Sequence, residues 1–65
     1  MQITLKLDGK SRKLKTSEKI IEGLLKENGV CTESVLVKRN KKFVPAEYKM
    51  KGGDVIELIE IISRG

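Results

Sequence analysis

Few residues of this chain could carry out chemistry by themselves. Its 65 residues include no histidine, no tryptophan and a single cysteine, Cys31. One thiol cannot close an internal disulfide, and without histidine the usual zinc sites and the commonest general base near neutral pH are lacking. We therefore expect a protein that is not an enzyme and that binds no metal or other cofactor.

Two local features could still suggest a reactive or ligand-binding site. Cys31 is a thiol, but free cysteines are mostly buried and inert, and we expect the same here. Gly52 and Gly53 lack the spacing of a phosphate-binding loop and the Lys-Ser/Thr pair that ends one, so they predict a tight turn before Asp54.

Size and composition indicate one small domain over residues 1–65. Hydrophobic residues make up 38% of the chain and charged residues 35%, which is enough apolar material for one core. The only aromatic residues are Phe43 and Tyr48, so the core should be aliphatic. No apolar run reaches the ~20 residues of a membrane span, and a lone thiol suits a reducing, cytoplasmic location.

Alternation of apolar and polar residues predicts the strands. Ile3, Leu5 and Leu7 alternate with polar residues, and Asp8-Gly9 is a strong signal for a two-residue hairpin turn. The returning strand is rich in lysine and should form a sheet edge. The predicted strands cover residues 2–7, 10–15, 34–39, 42–44 and 55–62.

A single amphipathic helix is predicted between the second and third strands. Thr16 or Ser17 could cap its start, and Gly29 suits its end. Its apolar stripe consists of Ile20, Ile21, Leu24 and Leu25.

This order of elements predicts an α+β fold. The very apolar last strand should be central and should lie beside the first strand, with the helix covering one face. We expect a β-grasp (ubiquitin-like) fold, with a mixed sheet of four to five strands and one helix packed on one face.

Several segments resemble one family in order and in length. Residues 35–40 (VLVKRN), 43–45 (FVP) and 53–59 (GDVIELI), followed by a final glycine, are similar to the ubiquitin-like sulfur carriers of the ThiS and MoaD type. These include the thiamin-pathway carrier and the small subunit of molybdopterin synthase. The chain departs from the family pattern at Arg64, where the carriers have glycine.

The resemblance implies a function for the carboxyl terminus. The carboxylate of Gly65 would be adenylated by an ATP-using enzyme of the ubiquitin-activating type, and a sulfur donor would convert it to a thiocarboxylate. Ser63, Arg64 and Gly65 would form a flexible tail that delivers it. The sulfur would pass to an acceptor enzyme in thiamin, molybdopterin, thiolated-tRNA or sulfur amino-acid synthesis. Arg64 leaves three alternatives: a partner that tolerates it, a different natural end, or a fold kept without this chemistry.

The helix can cover only one face of the sheet, so the other face is a candidate surface for partner docking. Its predicted apolar residues are Leu36, Val55, Ile59 and Ile61. The alternative is that these residues reflect only the β-propensity of a central strand. We expect the free protein to be a monomer.

The net charge of +5 keeps two other functions open. A binding module could use its basic residues for RNA or for an acidic protein, and a protein modifier could be conjugated through the same terminus. RNA is disfavoured because aromatic stacking platforms are nearly absent. The two basic clusters are Lys10, Arg12, Lys13 and Lys15, and Lys38, Arg39, Lys41 and Lys42.

Overall fold

A computed structural model describes residues 1–61 of the chain. These residues form a five-stranded mixed sheet with the strand order β2-β1-β5-β3-β4. The elements are β1 (Gln2–Leu7), β2 (Lys10–Lys15), α1 (Ile21–Glu27), a 3-10 turn (Thr32–Ser34), β3 (Val35–Arg39), β4 (Lys42–Val44) and β5 (Val55–Glu60). The α+β class, the central last strand and the single covering helix are confirmed.

Two hairpins are joined by β5. Strand β1 pairs antiparallel with β2, and β3 pairs antiparallel with β4. Strand β5 lies between them, parallel to β1 and antiparallel to β3. Strands β2 and β3 therefore run in the same direction. Because no hairpin turn can link parallel strands, the segment that contains α1 connects β2 to β3 across one face of the sheet.

The core lies between α1 and that face. Ile21, Leu24 and Leu25 of the helix are fully buried against inward side chains of the sheet. Those inward side chains are Ile3, Leu5, Val35, Val37, Ile56 and Leu58. Met50, which the sequence placed only in a connecting segment, also belongs to the core.

The helix begins later than predicted. Ile20 is the residue before its first turn, and no side chain caps it. The N–H groups of Ile21 and Glu22 instead donate to the carbonyls of Tyr48 (3.1 Å) and Ala46 (2.7 Å). Backbone from the loop before β5 therefore satisfies donors that a side chain usually caps.

Thr16 has a different role from the predicted cap. Its buried hydroxyl accepts from the N–H of Glu18 and donates to the carboxylate of Glu27, at the other end of the helix. Ile20, predicted in the apolar stripe, is 41% exposed, because it precedes the first helical turn.

The end of the helix follows the prediction. Gly29 has a φ of 70° and donates to Lys26, while Val30 donates to the carbonyl of Leu25 at 2.8 Å. These two bonds form a Schellman motif, in which the residue after the cap needs a positive φ.

Both hairpins use two-residue turns with positive φ at each position. Asp8 and Gly9 have φ values of 57° and 77°, and Asn40 and Lys41 have 51° and 75°. This geometry suits a type I′ turn, which matches the twist of paired strands. Lys41 thus adopts a conformation that side chains with a Cβ disfavour.

We expect Lys41→Gly to stabilise the protein by about 0.5–1 kcal/mol, because relief of the left-handed conformation exceeds the entropy that glycine adds to the unfolded chain. Gly9→Lys is the matched opposite change, at the same position of the other turn, and should destabilise by a similar amount. Urea unfolding of the three proteins measures both effects. A Lys41→Gly variant less stable than the original would contradict the strain assigned to this turn.

Candidate functional site

The face of the sheet opposite the helix carries a distinct set of side chains. Alternation along the strands and the pairing register put one row of residues from each strand on this open face. The residues are Gln2, Thr4, Lys6, Ser11, Lys13, Lys15, Leu36, Lys38, Phe43, Val55, Glu57 and Ile59.

Three apolar residues lie together where β5 ends. Leu36 of β3 pairs directly with Ile59 of β5. The N–H of Ile61 donates to the carbonyl of Ser34 at 2.8 Å, so the ladder continues one residue beyond β5 and Ile61 falls on the side of Ile59. Leu36 is 45% exposed and Ile61 46%. We call Leu36, Ile59 and Ile61 the terminal patch.

Val55 lies on the same face but apart from the terminal patch. It is opposite Thr4, two rows from Ile59. The row between them crosses three strands with Lys6, Glu57 and Lys38 side by side. The four residues predicted for docking therefore share a face, but a charged row divides them into a group of three and a single valine.

Phe43 is an exposed aromatic that the sequence interpretation did not assign to this face. It lies opposite Lys38 on the edge strand β4 and is 61% exposed. The ammonium of Lys38 lies 4.9 Å from its ring centroid. The alternation of side chains along β4 could have predicted its position. Val44 packs against the core, so the neighbouring Phe43 must point to the opposite face.

A buried carboxylate organises the opposite end of β5. Asp54 accepts from Arg39 Nε at 2.7 Å and Nη2 at 3.3 Å, from Asn40 Nδ2 at 3.3 Å and from the N–H of Lys51 at 2.7 Å. Asn40 Oδ1 in turn accepts from the N–H of Val55 at 3.0 Å. We call Arg39, Asn40 and Asp54 the Asp54 clasp.

The clasp determines the protonation of Asp54. Burial of the carboxylate favours its neutral form, but the hydrogen bonds from Arg39, Lys51 and Asn40 outweigh burial, and the pKa of Asp54 lies below its usual value. The same pairing raises the pKa of Arg39. The clasp fastens the loop before β5 to the β3–β4 turn. The sequence predicted only a tight turn before Asp54 and did not reveal this structural role.

Cys31 is exposed, contrary to the burial expected of a free cysteine. Hydrogen bonds with the Ser34 side chain and with backbone at Glu33 lower the pKa of its thiol. Within residues 1–61, no three acidic or thiol side chains are grouped so that they could hold a metal ion. The same stretch contains no helix with the length and hydropathy of a membrane span.

Ser63, Arg64 and Gly65, the predicted tail, lie outside the described residues. The last described residue, Ile61, belongs to the terminal patch.

Comparison with known proteins bears on the fold alone. No family model matches the chain. No curated protein matches it. A solved structure titled "Crystal structure of ATBAG1 in complex with HSP70" is similar over 94% of this chain, with a TM-score of 0.67 and 14% sequence identity. This chain spans 40% of the length of that one.

We expect Asp54→Asn to lower the free energy of unfolding at neutral pH by about 2 kcal/mol, since a buried, charge-assisted network loses its charge. A carboxyl whose folded pKa is depressed stabilises the fold above its unfolded pKa, and this contribution is lost as pH falls through the folded pKa. The difference between the two proteins should therefore shrink as pH falls below about 4.

Denaturant unfolding at a series of pH values measures this difference. Asp8→Asn is the control, since Asp8 is an exposed turn residue and asparagine tolerates its positive φ. A difference for Asp54→Asn that stays constant from neutral pH into acid would refute the role given to its charge.

Proposed function

We propose that this protein is a sulfur carrier of β-grasp (ubiquitin-like) architecture that acts through the carboxylate of Gly65. The finer fold assignment is supported by the hairpin β1–β2, the parallel pairing of β1 with a central β5, and a helix crossing one face. In this proposal the chain is the substrate of its partners and supplies no catalytic side chain.

The observation that carries the proposal is the position of the end of β5. Its central strand ends beside the terminal patch of Leu36, Ile59 and Ile61, on a face that no helix covers within residues 1–61. The four residues after Ile61 could span at most ~14 Å when extended. A partner enzyme that covers the patch would therefore receive the terminus within a short distance of its docking contact.

The proposed chemistry needs only the main-chain carboxylate. A carboxylate oxygen of Gly65 attacks the α-phosphate of ATP, and pyrophosphate leaves. Sulfide then attacks the acyl carbon and AMP leaves, so that a thiocarboxylate replaces the carboxylate. A persulfide donor would attack in the same way and form an acyl disulfide; a second thiol of the donor would then cleave its S–S bond, which releases the thiocarboxylate and leaves a disulfide on the donor. Glycine permits close approach because it has no Cβ, whereas Arg64 requires a partner whose channel accommodates its side chain.

The proposal assigns partners by this chemistry. They are a ubiquitin-activating-type adenylating enzyme, a sulfur donor and an acceptor enzyme in cofactor or thiolated-tRNA synthesis. A reducing cytoplasm suits a thiocarboxylate and an exposed Cys31.

The decisive experiment is intact mass spectrometry after incubation with ATP, sulfide and the adenylating enzyme of the source organism. We expect a mass gain equal to exchange of one oxygen for sulfur, localised to the terminal peptide. Deletion of Gly65 should abolish it, and Gly9→Ala, a glycine change far from the terminus in sequence, should not. Formation of neither an adenylate nor a thiocarboxylate would overturn the proposal, and a lysine-linked product would instead indicate a protein modifier.

Docking through the terminal patch makes a separate prediction. Ile59→Lys places a charge within the patch and should slow activation about tenfold or more while the fold is retained. Val55→Lys is the matched control, because it makes the same kind of change on the same face beyond the charged row. Pyrophosphate release measures activation, and circular dichroism checks folding. Equal activation of the two variants would show that the patch is not the docking site.

A further inference from the structure

The outer edge of β2 is open to pairing. Within residues 1–61, β2 hydrogen-bonds with β1 on one side only, and its six residues lie at the edge of the sheet. An edge strand presents unpaired N–H and C=O groups that can accept one more strand. The other edge strand, β4, has only three residues and offers less backbone.

The charge of β2 has one sign. Its sequence KSRKLK contains four cationic residues and no acidic one. Lys13 and Lys15 lie on the open face, while Lys10 and Arg12 lie on the helix side. A second copy of β2 paired at this edge would place cationic side chains beside one another, which is unfavourable. The edge therefore favours pairing with an acidic strand.

A cavity with both aliphatic and polar walls lies on the helix side of the same edge. It has a volume of about 310 Å³ and is lined by Leu5, Leu7, Lys10, Arg12, Asn28 and Val30. The cavity has a physical cause: seven helical residues extend only ~10 Å, about half the length of a six-residue strand. The helix thus leaves the Leu7 end of the sheet covered only in part, by Val30.

From these three features we propose that the edge of β2 binds an extended, acidic segment of a partner protein as a sixth strand. Side chains of an added strand alternate between the two faces. One set, apolar, would enter the cavity beside Leu7 and Val30. The other set, acidic, would lie on the open face beside Lys13 and Lys15.

A peptide fits this edge better than a nucleic acid does. The edge offers backbone hydrogen bonds, which match another strand, and the apolar side chains lining the cavity are aliphatic. Proteins that bind single-stranded nucleic acids use aromatic side chains on which the bases stack, and β2 has no aromatic residue. The surface is also distinct from the terminal patch on β3 and β5, so it does not rest on the proposed sulfur chemistry.

The test uses the full chain labelled with ¹⁵N and a blocked hexapeptide in which glutamate and valine alternate. We expect amide shifts confined to β2 and to residues 28–30. The same peptide with lysine in place of glutamate should not bind. Methylation of every second peptide nitrogen gives two peptides, and only the one whose free N–H groups face β2 should bind.

Two variants of the protein separate specific pairing from general attraction. Lys13→Glu should weaken peptide binding about tenfold, whereas Lys42→Glu, the same change on the other edge strand, should leave it unchanged. The proposal would be overturned if millimolar peptide caused no amide shifts, or if the shifts were centred on Leu36 and Ile59. It would equally be overturned if both protein variants lost the same peptide affinity, or if both methylated peptides bound equally well. Stronger shifts of β2 with single-stranded RNA, or self-association of the chain through β2, would also overturn it.

Discussion

The insertion of β5 between β1 and β3 is the interaction on which the rest of the structure depends. Each hairpin forms from residues close in sequence, but the two hairpins meet only through this strand. Ile56 and Leu58 are buried beneath the helix, while Ile59 remains half-buried on the open face. One strand therefore joins the sheet, completes the core and brings the chain to its carboxyl-terminal residues.

Contacts with distant residues fix the start of β5. The Asp54 clasp ties the start of the strand to the β3–β4 turn, and the loop before it supplies the carbonyls that cap α1. The same loop contributes Met50 to the core. The loop before β5 thus contacts the helix, the β3–β4 turn and the core at once.

The short length of the helix also accounts for the cavity at one of the two candidate interaction surfaces. It buries the middle of one face and leaves the Leu7 end of the sheet partly covered, which produces the cavity beside β2. The terminal patch lies on the opposite face, on β3 and β5. A partner at the β2 edge and an enzyme at the terminal patch would therefore contact different strands and could bind together.

Local sequence determined much of this protein. Alternation predicted the strands, Asp8-Gly9 the first turn and Gly29 the end of the helix, because each depends on residues a few positions apart. Only the tertiary structure decided the start of α1, the role of Asp54 and the separation of Val55 from the terminal patch. Their causes are contacts between distant residues: loop carbonyls that replace a side-chain cap, an arginine and an asparagine 15 and 14 positions from Asp54, and a register that places Lys6 and Lys38 beside Glu57. Strand periodicity assigns each residue to a face, but only the pairing of strands determines its neighbours there.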